Sequence, residues 1–196
     1  FLKKKINKKI NDVLNSNSYI LGNEVRQFEN RFSKYLGLKY AVGVSNGTDA
    51  LILSLKAINI KKGDEVITTS HTAYATIAAI VEAGAKPVFV DIKEDDFNMN
   101  SAELKKKITK KTRAIIIVHI YGNPADIVEI SKVAKKNKVY LIEDCSQAHG
   151  AEFNKKKVGT FGDLSCFSFY PTKNLSTFGD AGIFSFGLYK NVTSFK

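Results

Sequence analysis

A chain of 196 residues with 44% hydrophobic and 25% charged side chains has the makeup of an ordinary soluble globular protein, long enough to bury a sizeable core. No apolar run spans a bilayer and no signal-peptide pattern is present, which excludes a membrane partner and makes the cytoplasm the expected location. The formal net charge of +11 raises the question of a nucleic-acid partner, but the lysines fall in short dispersed runs at helix ends and turns, without finger spacing, an RNP-like aromatic pattern or a basic helix with a heptad tail, so no nucleic acid is expected and the charges read as solvated faces.

From the N-terminus, residues 11–36 are amphipathic with a break at Asn17-Ser18 and predict two helices ahead of a sheet. Strand-length apolar runs then alternate with helix-period segments: strands at 40–45 (YAVGVS), 65–70 (EVITTS), 87–92 (PVFVDI), 113–120 (RAIIIVHI) and 139–144 (VYLIED), with helices at 48–58, 73–83, 102–108 and 126–136. The last three strands are continuously apolar, as strands covered on both faces are. Two short strands, 164–169 (LSCFSF) and 182–186 (GIFSF), follow with no helix between them. The alternation predicts right-handed crossovers and an α/β fold with a largely parallel sheet, whose ligand belongs at the carboxyl ends of the strands. Cys145 and Cys166 are too few for a disulfide framework, show no metal-ligand spacing and read as small core residues.

The loops after those strands hold the polar residues. SNGTDA at 45–50 opens a helix, so Gly47 and Thr48 offer backbone amides to a phosphate; the same residues also serve a plain helix cap, and neither P-loop nor dinucleotide glycine spacing is present. The strand VYLIED ends in Asp144, followed by Cys145, Ser146, Gln147, Ala148 and His149. A carboxylate at the end of a buried strand is costly unless a cation meets it, so Asp144 implies a positive partner from the protein or a ligand, or else a structural ion pair or cap. His149 reads as a satisfied structural histidine. Finally, SFYPTKNLSTFGD at 168–180 sets Lys173 among aromatics, a proline and small residues, away from every basic run: either one more solvated loop lysine or one chosen for its chemistry.

In this order, SNGTDA, EDCSQAHGA and GDLSCFSFYPTKNLSTFGDAG, preceded by LNSNSYILGNEVRQFENRF at 14–32, resemble the sugar aminotransferases of the DegT/DnrJ/EryC1/StrS family, fold-type I enzymes that use pyridoxal 5'-phosphate. The resemblance runs through Phe184 and implies an aspartate-aminotransferase-like large domain over 37–187, with a mostly parallel seven-stranded sheet and helices on both faces, behind an N-terminal helical segment, 1–36. On this resemblance the family's smaller C-terminal domain is expected to lie outside this chain. Matched position by position, Lys173 is the lysine that condenses with the cofactor aldehyde and then shuttles a proton, Asp144 pairs with the pyridine nitrogen, Gln147 lies near the cofactor, and Gly47, Thr48 and Ser168 hold its phosphate. The reaction implied is transfer of an amino group, with glutamate as donor, to a keto group of a nucleotide-activated sugar, by a homodimer. SHTAYATIAAIVEAGAKPVFVDI at 70–92 is most similar to the branch acting on dTDP-linked 3-keto-6-deoxy sugars. Two departures stand out. Ala73 occupies a position where the family often stacks an aromatic ring on the cofactor, so stacking is either absent or comes from a neighbour such as His71 or Tyr74, and the tail at 187–196 leaves the family pattern. Two alternatives remain: a sugar dehydratase of the same fold, in which a histidine replaces the lysine, so that Lys173 argues against it, and a non-catalytic remnant or binding protein that keeps the sheet without a working site.

Overall fold

The central strands send alternate side chains into two helical layers, and this alternation organises the molecule. The computed structural model describes residues 1–187, so most of the divergent tail lies outside the described residues. A seven-stranded sheet is built from β1 (Tyr40–Val44), β2 (Glu65–Thr69), β3 (Lys86–Val90), β4 (Thr112–Val118), β5 (Tyr140–Asp144), β8 (Leu164–Ser168) and β9 (Gly182–Phe186), in the order β1-β9-β8-β5-β4-β2-β3. A separate small hairpin is formed by β6 (Glu152–Phe153) and β7 (Lys156–Lys157). All pairings in the large sheet are parallel except those of β9, which runs antiparallel between β1 and β8. The other six strands therefore end at one edge, where β9 begins.

On β4, Ala114 and Ile116 pack with Ile142, Leu164 and Phe184 under α3 (Gly47–Ala57) and α4 (Tyr74–Glu82). Ile115 and Ile117 pack with Leu141 under α5 (Ser101–Lys107) and α6 (Ile127–Asn137). Towards the β1 end, Phe167 of β8 meets Phe32 and Leu36 of α2 (Asn23–Leu36) in a third cluster. The helices begin where side chains accept otherwise unpaired amides, at Asn46, Asn100 and Asp126. Lysines fill the last turns of α2, α3, α5 and α6, where the partial negative charge of a helix C-terminus favours them. Pro87 is tolerated because β3 is an edge strand. At the other edge, Glu29 of α2 accepts the Gly43 amide at 2.8 Å.

Three local differences from the sequence expectation have physical causes. The first helix, α1 (Leu2–Ser16), begins well before residue 11, because its lysine-rich start hides the apolar stripe, and it buries no residue. The fourth strand stops at Val118 rather than 120, since residues Ile120–Gly122 turn through a left-handed Tyr121. The β6–β7 hairpin, two residues a side, is too short to show a period; Asn154 and Lys155 make its turn with positive φ. Among the described residues, no helix is long and apolar enough to cross a membrane.

Candidate functional site

At the edge where the six parallel strands end, a cavity of about 240 Å³ brings together all six residues singled out from the sequence: Gly47, Thr48, Asp144, Gln147, Ser168 and Lys173. The amino end of α3 is drawn tightly against β8. A Cβ on Gly47 would lie 2.8 Å from the Ser168 Cβ and 3.4 Å from the Ser146 hydroxyl. One on Gly182, at the start of β9, would lie 2.2 Å from the Asn46 carbonyl oxygen. These two glycines thus let the first turn of an 11-residue helix open into the cavity beside the Ser146 and Ser168 side chains, an arrangement suited to an anion.

Asp144 is buried, at 4% exposure, at the end of β5. Its Oδ1 accepts the Ser146 amide and its Oδ2 accepts the Thr76 hydroxyl, both at 3.1 Å. Because Thr76 spends its proton on the carboxylate, Thr72, 2.8 Å away, must donate to Thr76, giving a short relay that orients the acid. Among the described residues no cationic side chain comes within ion-pair distance of Asp144, so the positive partner that its burial calls for is left to a ligand. Lys173, half-buried, follows Tyr170 in a turn closed by its own amide on the Tyr170 carbonyl at 2.8 Å, and it lines the same cavity. The Gln147 side-chain oxygen accepts the Tyr121 amide at 2.7 Å. This donor set fits pyridoxal phosphate: an anion cradle that a Cβ would fill, an unpaired buried carboxylate and an amine around one cavity.

Sequence reasoning missed a second polar centre just behind Asp144. Glu143, fully buried, accepts four hydrogen bonds: Phe161 and Gly162 amides on Oε1, and the Gly159 amide and His119 Nε2 on Oε2. The Ala125 amide donates to His119 Nδ1 at 3.0 Å, so the imidazole is neutral with its proton on Nε2. Cys145 brings its sulfur within the same 4.8 Å as these groups. In this cluster the Glu143 and His119 atoms are committed to one another and to the backbone. Burial, followed by the charges of Glu143 and Asp144, also pushes the Cys145 thiol well above its usual range. The available sequence signal was a glutamate inside an otherwise apolar strand.

Two details narrow or change the expectation. Neither His71 nor Tyr74 lines the cavity that Ala73 lines. The His71 ring is turned to Tyr121 and Phe97, and Tyr74 is 83% exposed, because α4 begins there and carries it outward. His149 is structural but not satisfied: it packs against Phe167 and Phe169, and neither ring nitrogen has a hydrogen-bond partner among the described residues. The Ser168 backbone approaches it without reaching hydrogen-bond geometry.

Residues 1–188 match the model of the DegT/DnrJ/EryC1/StrS aminotransferase family. The chain is 48% identical over 166 residues to the dTDP-3-amino-3,6-dideoxy-alpha-D-galactopyranose transaminase of Aneurinibacillus thermoaerophilus, covering 85% of this chain and 46% of that protein. Its fold matches S. venezuelae DesV, solved in complex with a ketimine intermediate, with a TM-score of 0.93 at 41% identity, covering 95% of this chain and 50% of that one. It also matches NtdA from Bacillus subtilis with bound cofactor PMP, with a TM-score of 0.91 at 31% identity, covering 96% and 42%. The chain spans about half the length of the curated relatives it matches.

Proposed function

The chain belongs to the DegT/DnrJ/EryC1/StrS aminotransferase family, whose members depend on pyridoxal phosphate, and from that premise we propose that it forms the cofactor-binding part of an enzyme that aminates a nucleotide-activated keto sugar. The observation that carries this reading is the buried carboxylate of Asp144, without a cationic partner among the described residues, on a cavity also lined by Lys173. Residues 37–187 make up the cofactor-binding domain and 1–36 an N-terminal helical segment; glutamate supplies the amino group, a dTDP-linked keto-6-deoxy sugar receives it, and the working enzyme is a cytoplasmic homodimer.

When bound, pyridoxal phosphate supplies a conjugated ring that accepts the electron pair left when a proton departs from the carbon beside the amino nitrogen. The chain's own residues do the rest. Gly47 and Thr48 amides and the Ser168 hydroxyl hold the phosphate at the positive end of α3. Asp144, oriented by the Thr72–Thr76 relay and the Ser146 amide, keeps a proton on the pyridine nitrogen. Lys173 would hold the cofactor at its aldehyde group and, as a free amine, would move a proton as base and then acid.

Absorbance spectroscopy tests the reading. On incubation with pyridoxal phosphate the chain gains a visible band that is fixed and bleached by borohydride, and Lys173→Ala lacks it. A wild-type chain that gains no band is the remnant instead. In the full-length protein, added glutamate converts the band to that of the amine form, and an unchanged spectrum there rejects the transferase in favour of the dehydratase.

A further inference from the structure

The loop between β4 and α6 contains a residue that the proposed chemistry does not use. Tyr121 has φ 56 and ψ 17, a left-handed backbone that a bulky L side chain rarely adopts and that persists only where its surroundings enforce it. Here they do so from several sides. Before it, His119 is fixed by Glu143 and by the Ala125 amide. After it, Gly122, at φ 81, lies so close to Gln147 that a Cβ would fall 3.1 Å from the Gln147 carbonyl oxygen. The phenol reaches His71 Nε2 at 3.0 Å. The enforced turn points the Tyr121 amide at the Gln147 side chain, 2.7 Å away.

An N–H cannot donate to an NH2, so this bond decides which half of the carboxamide is which. The oxygen belongs to Tyr121, and the NH2 is left to the cavity that Gln147 lines. We propose that Tyr121 is a positioning residue: its left-handed backbone holds Gln147 so that the carboxamide meets the bound ring as a hydrogen-bond donor, toward the ring's oxygen. This rests on the cofactor reading above. A donor at that oxygen stabilises its negative charge, so losing it raises the pH at which the bound cofactor's visible band titrates.

The test varies left-handed propensity at position 121 in the full chain. Tyr121→Gly adopts the turn freely, Tyr121→Val resists it, and Tyr121→Phe removes only the bond to His71. In the cofactor-free protein, the Gln147 side-chain NH2 resonances stay ordered in the Gly and Phe variants and lose order in the Val variant. With pyridoxal phosphate added, the band of the Val variant titrates at higher pH, near that of Gln147→Ala, while Gly and Phe keep the wild-type midpoint. If Tyr121→Val does not fold, Tyr121→Ala, milder in the same direction, replaces it. A Val variant with wild-type Gln147 order and midpoint overturns the positioning role alone, as does a Gly variant as impaired as Val. A wild-type protein that develops no band overturns the cofactor reading as well.

Discussion

Replacing Glu143 with Gln exchanges one carboxylate oxygen for an NH2 in a site where both oxygens are fully used. If the remaining oxygen keeps the Phe161 and Gly162 amides, the new NH2 faces the Gly159 amide and His119 Nε2–H; if the side chain flips, it faces Phe161 and Gly162. His119 offers no relief by moving its proton, because Nδ1 is needed by the Ala125 amide. Either way two buried donors lose their acceptor. At about 1–3 kcal/mol for each unmet buried group, the loss is roughly 2–6 kcal/mol, a large share of the roughly 5–15 kcal/mol that holds a domain folded. With a urea m-value of about 2 kcal/mol/M, the unfolding midpoint falls by about 1–3 M. Equilibrium urea unfolding of the two proteins, followed by circular dichroism, measures the shift. A midpoint within about 0.3 M of wild type, below the smallest loss this count allows, refutes the view that this carboxylate ties the 159–162 segment to β5.

Gly182→Ala forces a methyl onto the Asn46 carbonyl, a backbone group that cannot rotate away, so it should cost about 1–3 kcal/mol and weaken pyridoxal phosphate binding, measured by urea unfolding and absorbance titration. Thr76→Val keeps the shape but leaves Asp144 Oδ2 without its donor; a loss of about 1–2 kcal/mol lowers Tm by roughly 2–8 °C in calorimetry of the cofactor-free protein. Burial lowers the His149 pKa below its usual value. The unfolded chain therefore takes up a proton as pH falls through about 6.5 while the folded one resists, and stability declines below that pH. His149→Phe, which suits the Phe167–Phe169 cluster, should flatten this decline between pH 7.5 and 5 in urea midpoints, and parallel profiles for the two proteins would count against it.

The sheet was legible because β4 and β5 are buried on both faces, and such strands announce themselves as unbroken apolar runs. Asp144 was legible for the opposite reason: it interrupts an apolar strand with a charge that burial makes expensive, whereas Lys173, in a largely exposed loop, stood out only by its aromatic and small neighbours and by the motif around it. The Glu143–His119 pair and the Tyr121–Gln147 contact were not legible, since each joins residues within or just after two different strands, and a one-dimensional pattern holds no trace of which strands become neighbours. Tyr121 looks like any aromatic in HIYGNPA until its φ is known. Ala73 shows the reverse limit: the missing ring could be noticed, but only the fold reveals that neither His71 nor Tyr74 lines the cavity beside it.

The place of β9 has a consequence for how the protein is made. Among the described residues β1 pairs with no other strand, and its residue Val44 meets Gly182, so β1 must wait for the later-synthesised β9 before it gains a neighbour. Until then its hydrogen-bonding groups are open to solvent and to other nascent chains, and such distant pairing is slow to form. A polypeptide halted short of position 182 has every other strand of the sheet but no bridge to β1, and it cannot finish the anion cradle at the start of α3.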